Sequence, residues 1–158
     1  MHTIRLTPVF ASLWLLCAPS AGATDLAAAD PAIRAPASLA GPVEAQFLGN
    51  YDGDTITVRA WIWPRHSVET GVRLAGIDAP ELRGRCDAEK QAARAARDRL
   101  REMLTGARKI ELRDIEEDKY GGRVLARVFA DDQDLAARMI GEGHARPYAG
   151  DTRKSWCD

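Results

Sequence analysis

Four acidic side chains lie close together in the first half of the sequence. Asp52 and Asp54 flank a glycine in YDGDTITV, and Asp78 and Glu81 follow within RLAGIDAPE. Carboxylate oxygens are the ligands that Ca²⁺ prefers, and a nearby glutamate can orient or deprotonate a water molecule. An EF-hand calcium loop is excluded, because Thr57 stands where that loop requires its glycine.

Each of these acidic motifs also has a simpler interpretation. The segment DGD is typical of a turn before a strand. The second motif is compatible with an ion pair between Arg73 and Asp78 or Glu81 beside a tight turn. Pro80 holds Ala79 in an extended conformation, which would aim the neighbouring carbonyl and carboxylate in fixed directions.

Two later segments carry groups that can bind phosphate. DKYGGRV contains Lys119, Tyr120 and Arg123, and EGHARPY contains Arg146 and Tyr148. Basic and phenolic side chains commonly contact phosphate oxygens. A glycine-rich hairpin with solvated charges is the alternative for the first segment.

The elements that must position these residues follow from hydrophobic periodicity. Residues 55–63 and 67–76 alternate as a pair of strands, with Ile62 and Val68 among the side chains assigned to the apolar faces. Residues 88–104 form an amphipathic helix whose apolar stripe includes Ala92, and Gly106 ends it. Two more strands are predicted at 108–115 and 123–130, and a short helix at 134–141.

These elements predict an α+β fold, a five-stranded OB-type β-barrel with two to three helices. The first three strands lack the crossover helices that a parallel sheet requires. Trp61 and Trp63 are predicted to pack against the protein, although bases can stack on tryptophans of an OB surface.

The first 23 residues predict a secretory signal peptide. Arg5 precedes an apolar run of about ten residues, which is short for a bilayer that needs ~20, and small residues follow up to Ala23. A retained anchor is the alternative, whereas a cleaved signal leaves no stable membrane insertion. Residues 24–42 are an Ala/Pro-rich linker, and residues 43–158 form the domain with its C-terminal tail. We therefore expect a periplasmic or secreted protein.

Charge and cysteine content constrain the mature chain. The net charge is −1, and removing Arg5 makes it one unit more negative, so no overall positive field indicates a nucleic-acid partner. Signal removal leaves Cys86 and Cys157, an even pair in an oxidising compartment, and we predict a disulfide between them. Two separate buried thiols are the alternative.

Taken together, the motifs resemble the thermonuclease (staphylococcal nuclease-like) family from about residue 43 to residue 148. The order DGDT, R-x4-D-x-PE, DKYG followed by arginine, and G-x-A-x-x-Y carries the resemblance. It implies an OB-type barrel and Ca²⁺-dependent hydrolysis of phosphodiester bonds in DNA and RNA. An OB groove favours accessible or single strands, and we expect a monomer.

The resemblance also implies a role for each matching residue. Asp54, Asp78 and the backbone carbonyl of Ala79 match the Ca²⁺ ligands, and Asp52 matches an aspartate behind them. Residues implied in catalysis are Arg73 and Arg123, which match the arginines on the scissile phosphate, and Glu81, which matches the general base. Residues implied in substrate binding are Lys119, Tyr120 and Tyr148.

The sequence departs from the family pattern in three places. Ala79 replaces a threonine, Gly121 and Gly122 stand where one glycine is expected, and the chain after Tyr148 is short for the family's final helix. Two alternatives to an active nuclease stay open. One is a catalytically weak or inactive OB-fold domain that binds nucleic acid or protein, and the other is a disulfide-stabilised structural protein of the cell envelope.

Overall fold

The structure is a computed structural model that describes residues 36–157. The predicted signal peptide, the first part of the predicted linker and Asp158 lie outside the described residues. The elements in chain order are β1 (Ser38–Leu39), β2 (Val43–Asn50), β3 (Thr55–Trp63), β4 (His66–Leu74), β5 (Ile77–Asp78), α1 (Asp87–Thr105), β6 (Ile110–Glu117), β7 (Arg123–Ala130), β8 (Gln133–Asp134), α2 (Leu135–Gly141) and β9 (Arg146–Pro147). Among the described residues, no helix is long and apolar enough to cross a membrane.

Five of the strands close a barrel. β2, β3 and β4 pair antiparallel in sequence order, and β6 pairs antiparallel with β2. β7 lies parallel to β4 and antiparallel to β6, so it completes the ring. With helices α1 and α2, this is the predicted α+β fold with a five-stranded OB-type barrel.

One short strand lies in the segment predicted as linker. In β1, Ser38 and Leu39 pair antiparallel with Glu116 and Ile115 of β6. Ordered pairing therefore begins a few residues before Val43, the predicted start of the domain.

The barrel interior is filled by alternate side chains of its strands. Ile56, Val58 and Ala60 of β3 are buried, as are Val72 and Leu74 of β4. This agrees with the predicted two-residue period, because successive side chains of a strand point to opposite faces.

The predicted pattern is wrong at the outer end of the β3–β4 hairpin. Ile62 and Val68 are 53% and 41% exposed, and Trp61 and Trp63 are 43% and 71% exposed rather than packed. The reason is the length of the hairpin, since β2 pairs with β3 only as far as Ala60 and leaves the hairpin end uncovered.

Helix α1 packs one stripe of side chains against the barrel. The buried residues of this stripe are Glu89, Ala93, Ala96, Leu100, Met103 and Leu104. Ala92, which the sequence pattern places on this stripe, is only half-buried. A strict four-residue spacing drifts around a helix with 3.6 residues per turn, whereas alternating steps of four and three residues keep to one face. As predicted, Gly106 ends the helix, and its N–H donates to the carbonyl of Glu102 at 3.1 Å.

The predicted disulfide between Cys86 and Cys157 is confirmed. It joins the N-cap residue of α1 to the C-terminal tail, with 5.9 Å between the two Cα atoms and 71 residues of separation. In the chain-entropy model, closing a loop of this length stabilises the fold by about 4 kcal/mol.

The chain after α2 runs back to the barrel without forming another helix in residues 142–157. Strand β9 pairs antiparallel with β5, which places Arg146 opposite Asp78 and Pro147 opposite Ile77. The family's final helix is therefore missing from the described residues, and the tail lies beside Asp78 instead.

The two helices are joined by a network of charged side chains. Arg99 of α1 donates two hydrogen bonds to the carboxylate of Glu142, at 2.6 and 2.9 Å, and Arg138 of α2 donates a third at 3.0 Å. The bonds from Arg99 and then from Arg138 lower the pKa of Glu142 to about 2. Glu142 therefore favours the folded state while it is ionised.

We expect Glu142→Gln to lower the melting temperature at neutral pH. Because the pKa of Glu142 is lower in the folded state than in the unfolded state, its contribution is present above about pH 4.5 and is lost as the pH falls toward about 2. Melting curves of the variant and the wild type should therefore converge at low pH. Glu116→Gln, at an exposed glutamate of β6 outside this network, is the matched control, and a difference that persists at pH 2 would contradict the prediction.

Candidate active site

The loop between β2 and β3 positions Asp52 and Asp54. Asn50 anchors this loop, because its Nδ2 donates to the backbone oxygen of Asp52 at 3.0 Å and to that of Arg97 in α1 at 2.8 Å. Asp52 Oδ1 accepts a hydrogen bond from the backbone N–H of Asp54 at 3.2 Å. The segment DGD therefore forms the predicted turn. The carboxylate of Asp54 is not used in that turn and points into the protein.

Gly53 is needed because there is no room for a side chain. A Cβ atom at this position would lie 2.7 Å from Ala96 Cβ and 3.0 Å from Ala79 Cβ. Its φ is outside the left-handed region, so the requirement is close approach rather than backbone conformation. The loop, helix α1 and the segment after β5 therefore meet at three small residues.

Asp54 is buried and hydrogen-bonded to three parts of the site. Only 3% of it is exposed, and its Oδ1 accepts from Arg73 Nη1 at 2.8 Å and from Thr55 Oγ1 at 3.0 Å. Its Oδ2 lies 3.4 Å from the backbone nitrogen of Ala79, which donates to it. One carboxylate therefore joins the start of β3, the end of β4 and the segment after β5.

Asp78 lies on β5 and is also buried. Its Oδ2 accepts from Trp156 Nε1 at 3.2 Å. Arg153 Nε is 3.0 Å from Oδ1, but the two groups are not aligned as a hydrogen bond, and Oδ1 remains a buried oxygen without a hydrogen-bond donor. Asp78 therefore retains an unused acceptor that faces a positive charge.

Glu81 follows β5 and is held in place through Glu89 of α1. The buried carboxylate of Glu89 accepts from the backbone N–H of Arg85 at 2.8 Å and from that of Glu81 at 3.4 Å. The side chain of Glu81 is 48% exposed, and its Oε1 accepts a hydrogen bond from Arg153. Glu81 is thus attached to a fixed backbone while its carboxylate reaches solvent.

The carboxylates are close enough to affect one another. The pKa of Asp52 is raised to about 6, first by burial and then by the negative charge of Asp54, with a smaller contribution from Glu81. Two backbone hydrogen bonds oppose the rise but do not cancel it. Such mutual repulsion is relieved when a cation binds nearby.

The acidic residues offer ligand atoms of the type that a hard divalent cation prefers. Asp54 and Asp78 supply carboxylates, Ala79 between β5 and Pro80 supplies a backbone carbonyl, and Asp78 Oδ1 has no donor. Oxygen-only sets of this kind are typical of Ca²⁺. These three residues, with Asp52 behind them, are the ones that the sequence motifs predict as the cation site.

A second group of metal-ligating residues lies nearby. Ligand atoms of Cys86, Glu89 and Cys157 are within 4.8 Å of one another. The disulfide removes both thiolates from this group, so it is not a metal site in the oxidised protein.

The predicted phosphate-binding residues Lys119, Tyr120 and Arg123 lie close to one another. Arg123 of β7 forms an ion pair with Asp118, and its guanidinium carbon is 5.2 Å from the centre of the Tyr120 ring. Burial raises the pKa of Asp118, but hydrogen bonds from Arg123 and from the backbone of Tyr120 outweigh it and leave the pKa lowered. Lys119 Nζ is also 5.2 Å from the centre of the Tyr120 ring.

A cavity of about 420 Å³ lies beside these groups, and Arg123 is not among the residues that line it. Its lining includes Arg73, Lys119, Tyr120 and Tyr148, and the backbone N–H of Tyr148 donates to the carbonyl of Gly76 at 2.9 Å. The structure therefore gathers the three predicted substrate-binding residues and one predicted catalytic arginine around one cavity.

Three residues of the site were not identified from the sequence. Arg153 and Trp156 belong to the tail, and Glu89 lies on the buried stripe of α1. The disulfide partner Cys86 lies close in sequence to Glu81, so pairing it with Cys157 could have indicated that the tail reaches the site. Glu89 lies four residues before Ala93, on the apolar stripe of α1. An acidic residue at such a position could have indicated a buried carboxylate with a structural role.

A closed OB-type barrel with buried carboxylates next to ion-paired arginines suits a nuclease-type hydrolase, the class that the family match supports. Residues 71–156, just over half of the chain, match the family model described as "Staphylococcal nuclease homologue", and the chain belongs to this family. The resemblance recognised from the sequence motifs is thereby confirmed. No curated protein matches the chain.

We expect Gly53→Ala to destabilise the protein by about 1–3 kcal/mol, since an added methyl group must push the loop away from Ala79 and Ala96. Urea unfolding followed by circular dichroism measures the change. Gly49→Ala is the matched control, because nothing lies within 4 Å of a Cβ atom at that position. Equal free energies of unfolding for the two variants would contradict the proposed close approach.

Proposed function

We propose that this protein is a secreted, Ca²⁺-dependent nuclease that hydrolyses phosphodiester bonds of DNA and RNA. The observation that carries the proposal is the meeting of opposite charges at one end of the barrel. Arg73 is ion-paired with the buried carboxylate of Asp54, which is bonded to the segment that carries Asp78, and it also lines a cavity with Lys119 and Tyr120.

The arginines are suited to the negative charge of the reaction. Phosphodiester hydrolysis concentrates charge on the non-bridging oxygens as water attacks, and a planar guanidinium donates two parallel hydrogen bonds to such oxygens. Arg73 is oriented by Asp54, and Arg123 by Asp118. Because both are held before substrate arrives, little reorganisation is needed in the transition state.

Glu81 is suited to accept a proton. A water oxygen forms a bond to phosphorus while one bond from phosphorus to a sugar oxygen breaks, the carboxylate takes a proton from the water, and solvent protonates the departing oxygen. The side chain of Glu81 is accessible, and its backbone is fixed by Glu89. Bound at Asp54, Asp78 and the Ala79 carbonyl, Ca²⁺ would supply positive charge that stabilises the phosphate oxygens.

The substrate and compartment follow from the same proposal. Lys119, Tyr120 and Tyr148 would contact neighbouring phosphates and nucleotides of an accessible or single strand, since an open groove beside a barrel admits unpaired nucleotides. The signal peptide proposed for residues 1–23 would direct the chain to the periplasm or outside the cell, where a disulfide persists. We propose a monomer.

One observation favours the alternative of a weak or inactive binding domain. Arg153 contacts both Asp78 and Glu81, which are the proposed metal ligand and proton acceptor. A protein in which this contact is permanent would bind nucleic acid without cleaving it.

Incubation of the purified protein with single-stranded DNA and RNA separates these functions. We expect cleavage with Ca²⁺ and none with a chelator, because Asp54 and Asp78 alone add negative charge beside the phosphate. The measurement is the release of labelled fragments over a range of pH. Binding of the oligonucleotides without cleavage in Ca²⁺ would support the binding domain and contradict the nuclease.

Substitutions in the two proposed catalytic groups test the residue assignments. We expect Glu81→Gln to lower kcat by about 10²-fold or more, because the proton acceptor is lost. We expect Arg123→Lys to lower kcat by about 10²-fold, because lysine cannot donate two parallel hydrogen bonds to one phosphate. Glu116→Gln and Arg127→Lys are matched controls on β6 and β7. Arg73→Ala is a poorer test, since it would leave Asp54 buried without a partner. Wild-type kcat in both variants would overturn the assignments.

A further inference from the structure

We propose that Arg153 is an internal counter-ion of Asp78, a carboxylate of the proposed metal site, and competes with a divalent cation for it. The tail segment 151–157, fixed by its disulfide, would thereby set the metal affinity of the protein. This inference rests on the metal site of the proposed function, but it concerns a residue that the proposed function does not use.

The contacts of Arg153 place its charge between two acidic residues. Its Nε is 3.0 Å from Asp78 Oδ1, and its Nη1 contacts Glu81 Oε1. Asp78 Oδ1 is the buried oxygen that has no hydrogen-bond donor. A carboxylate oxygen has a second lone pair, but a divalent cation on Asp78 Oδ1 would lie within a few ångströms of the Arg153 guanidinium. Because like charges at that distance repel, binding of the cation favours movement of Arg153 away from Asp78.

Three further contacts hold the tail in this place. Trp156 Nε1 donates to the second oxygen of Asp78 at 3.2 Å, and Arg146 stacks over the Trp156 ring at 3.8 Å from its centre. Arg146 Nη1 also donates to the backbone oxygen of Ser155 at 2.7 Å. Both oxygens of Asp78 therefore face groups of the tail, and the contact of Arg153 is one part of a built arrangement.

The disulfide keeps Arg153 close to the carboxylates even when its contacts break. Cys157 is four residues from Arg153, and its partner Cys86 lies at the start of α1, next to the loop that carries Glu81. A tethered group returns at a high effective concentration, which a free arginine in solution could not match.

Arg153 also lies where three cavities meet. It lines the 420 Å³ cavity that Lys119 and Tyr120 line, a 280 Å³ cavity beside Glu81, and a 580 Å³ cavity beside Arg146. Its side chain is 42% exposed, so it has room to turn away from Asp78. The Arg153 side chain can therefore move away from Asp78 and Glu81 while the backbone of the tail stays in place.

The size of the effect follows from the population of the open arrangement. If Arg153 is away from Asp78 in about one molecule in ten, the apparent Kd for the cation is about tenfold higher than the intrinsic Kd. We therefore expect Arg153→Ala to bind Ca²⁺ about tenfold more tightly than the wild type. Lys154→Ala is the matched control, because Lys154 is the neighbouring cation and lines two of the same cavities.

Isothermal titration calorimetry of the purified, disulfide-bonded protein with Ca²⁺ measures these affinities directly, without any assay of activity. Tighter binding by Arg153→Ala and little change in Lys154→Ala would support the counter-ion. Equal affinity in Arg153→Ala and the wild type would overturn it while leaving the metal site intact. Weaker binding by Arg153→Ala would also overturn it, since Arg153 would then support the bound cation.

Two additional variants separate this inference from the proposed function. Asp78→Asn should lose Ca²⁺ binding, whether or not Arg153 is also replaced. If no variant gives a heat of Ca²⁺ binding, and the wild type gives none either, the metal site itself is refuted.

Cys86→Ser combined with Cys157→Ser removes the tether and should also lower the Kd for Ca²⁺. Adding Arg153→Ala to this double variant should change the Kd little further. Its fold is checked by circular dichroism at a temperature below its melting transition, and an unchanged affinity would overturn the role of the tether.

Discussion

The ion pair between Asp54 and Arg73 is the contact that aligns the rest of the site. Both residues are buried, with 3% and 8% exposed, and the pairing of Thr55 with Arg73 across β3 and β4 brings them together. A buried charge without its partner is strongly destabilising. The start of β3 and the end of β4 therefore cannot shift independently, and the bond from Ala79 to Asp54 fixes the segment after β5 to them.

The other arginines of the site follow the same rule. Arg123 is paired with Asp118, and Arg153 with Asp78 and Glu81. The positive and negative charges are balanced locally, in a chain whose net charge is only −1. A cation at Asp78 must then compete with Arg153, whereas a phosphate can use the guanidinium donors that the aspartates leave free. Recognition therefore depends on short-range contacts rather than on a long-range field.

The sequence predicts the barrel well because its signals are local. Alternation in β3 and β4 identifies the buried side of each strand, and the motifs around Asp54, Asp78 and Arg123 identify the family. The errors concern tertiary context. Trp63 is exposed because no neighbouring strand extends as far as the end of its hairpin, and Gly53 is required by Ala79 and Ala96, which are distant in sequence.

The tail was the least predictable part of the site. Its residues have no periodic pattern, and the disulfide indicates only that Cys157 lies near Cys86. That Arg153 reaches Asp78 depends on the pairing of β9 with β5 and on the position of Trp156. Neither contact has a signature in a single sequence.

The distribution of aromatic side chains has a practical consequence. Trp61 and Trp63 lie at the solvent-exposed end of a hairpin, whereas Trp156 is stacked on Arg146 and bonded to Asp78. Replacing the two hairpin residues with phenylalanine would leave Trp156 as the indole fluorophore of residues 36–157. The emission of that single residue would then follow the position of the tail in solution, with no label attached to the protein.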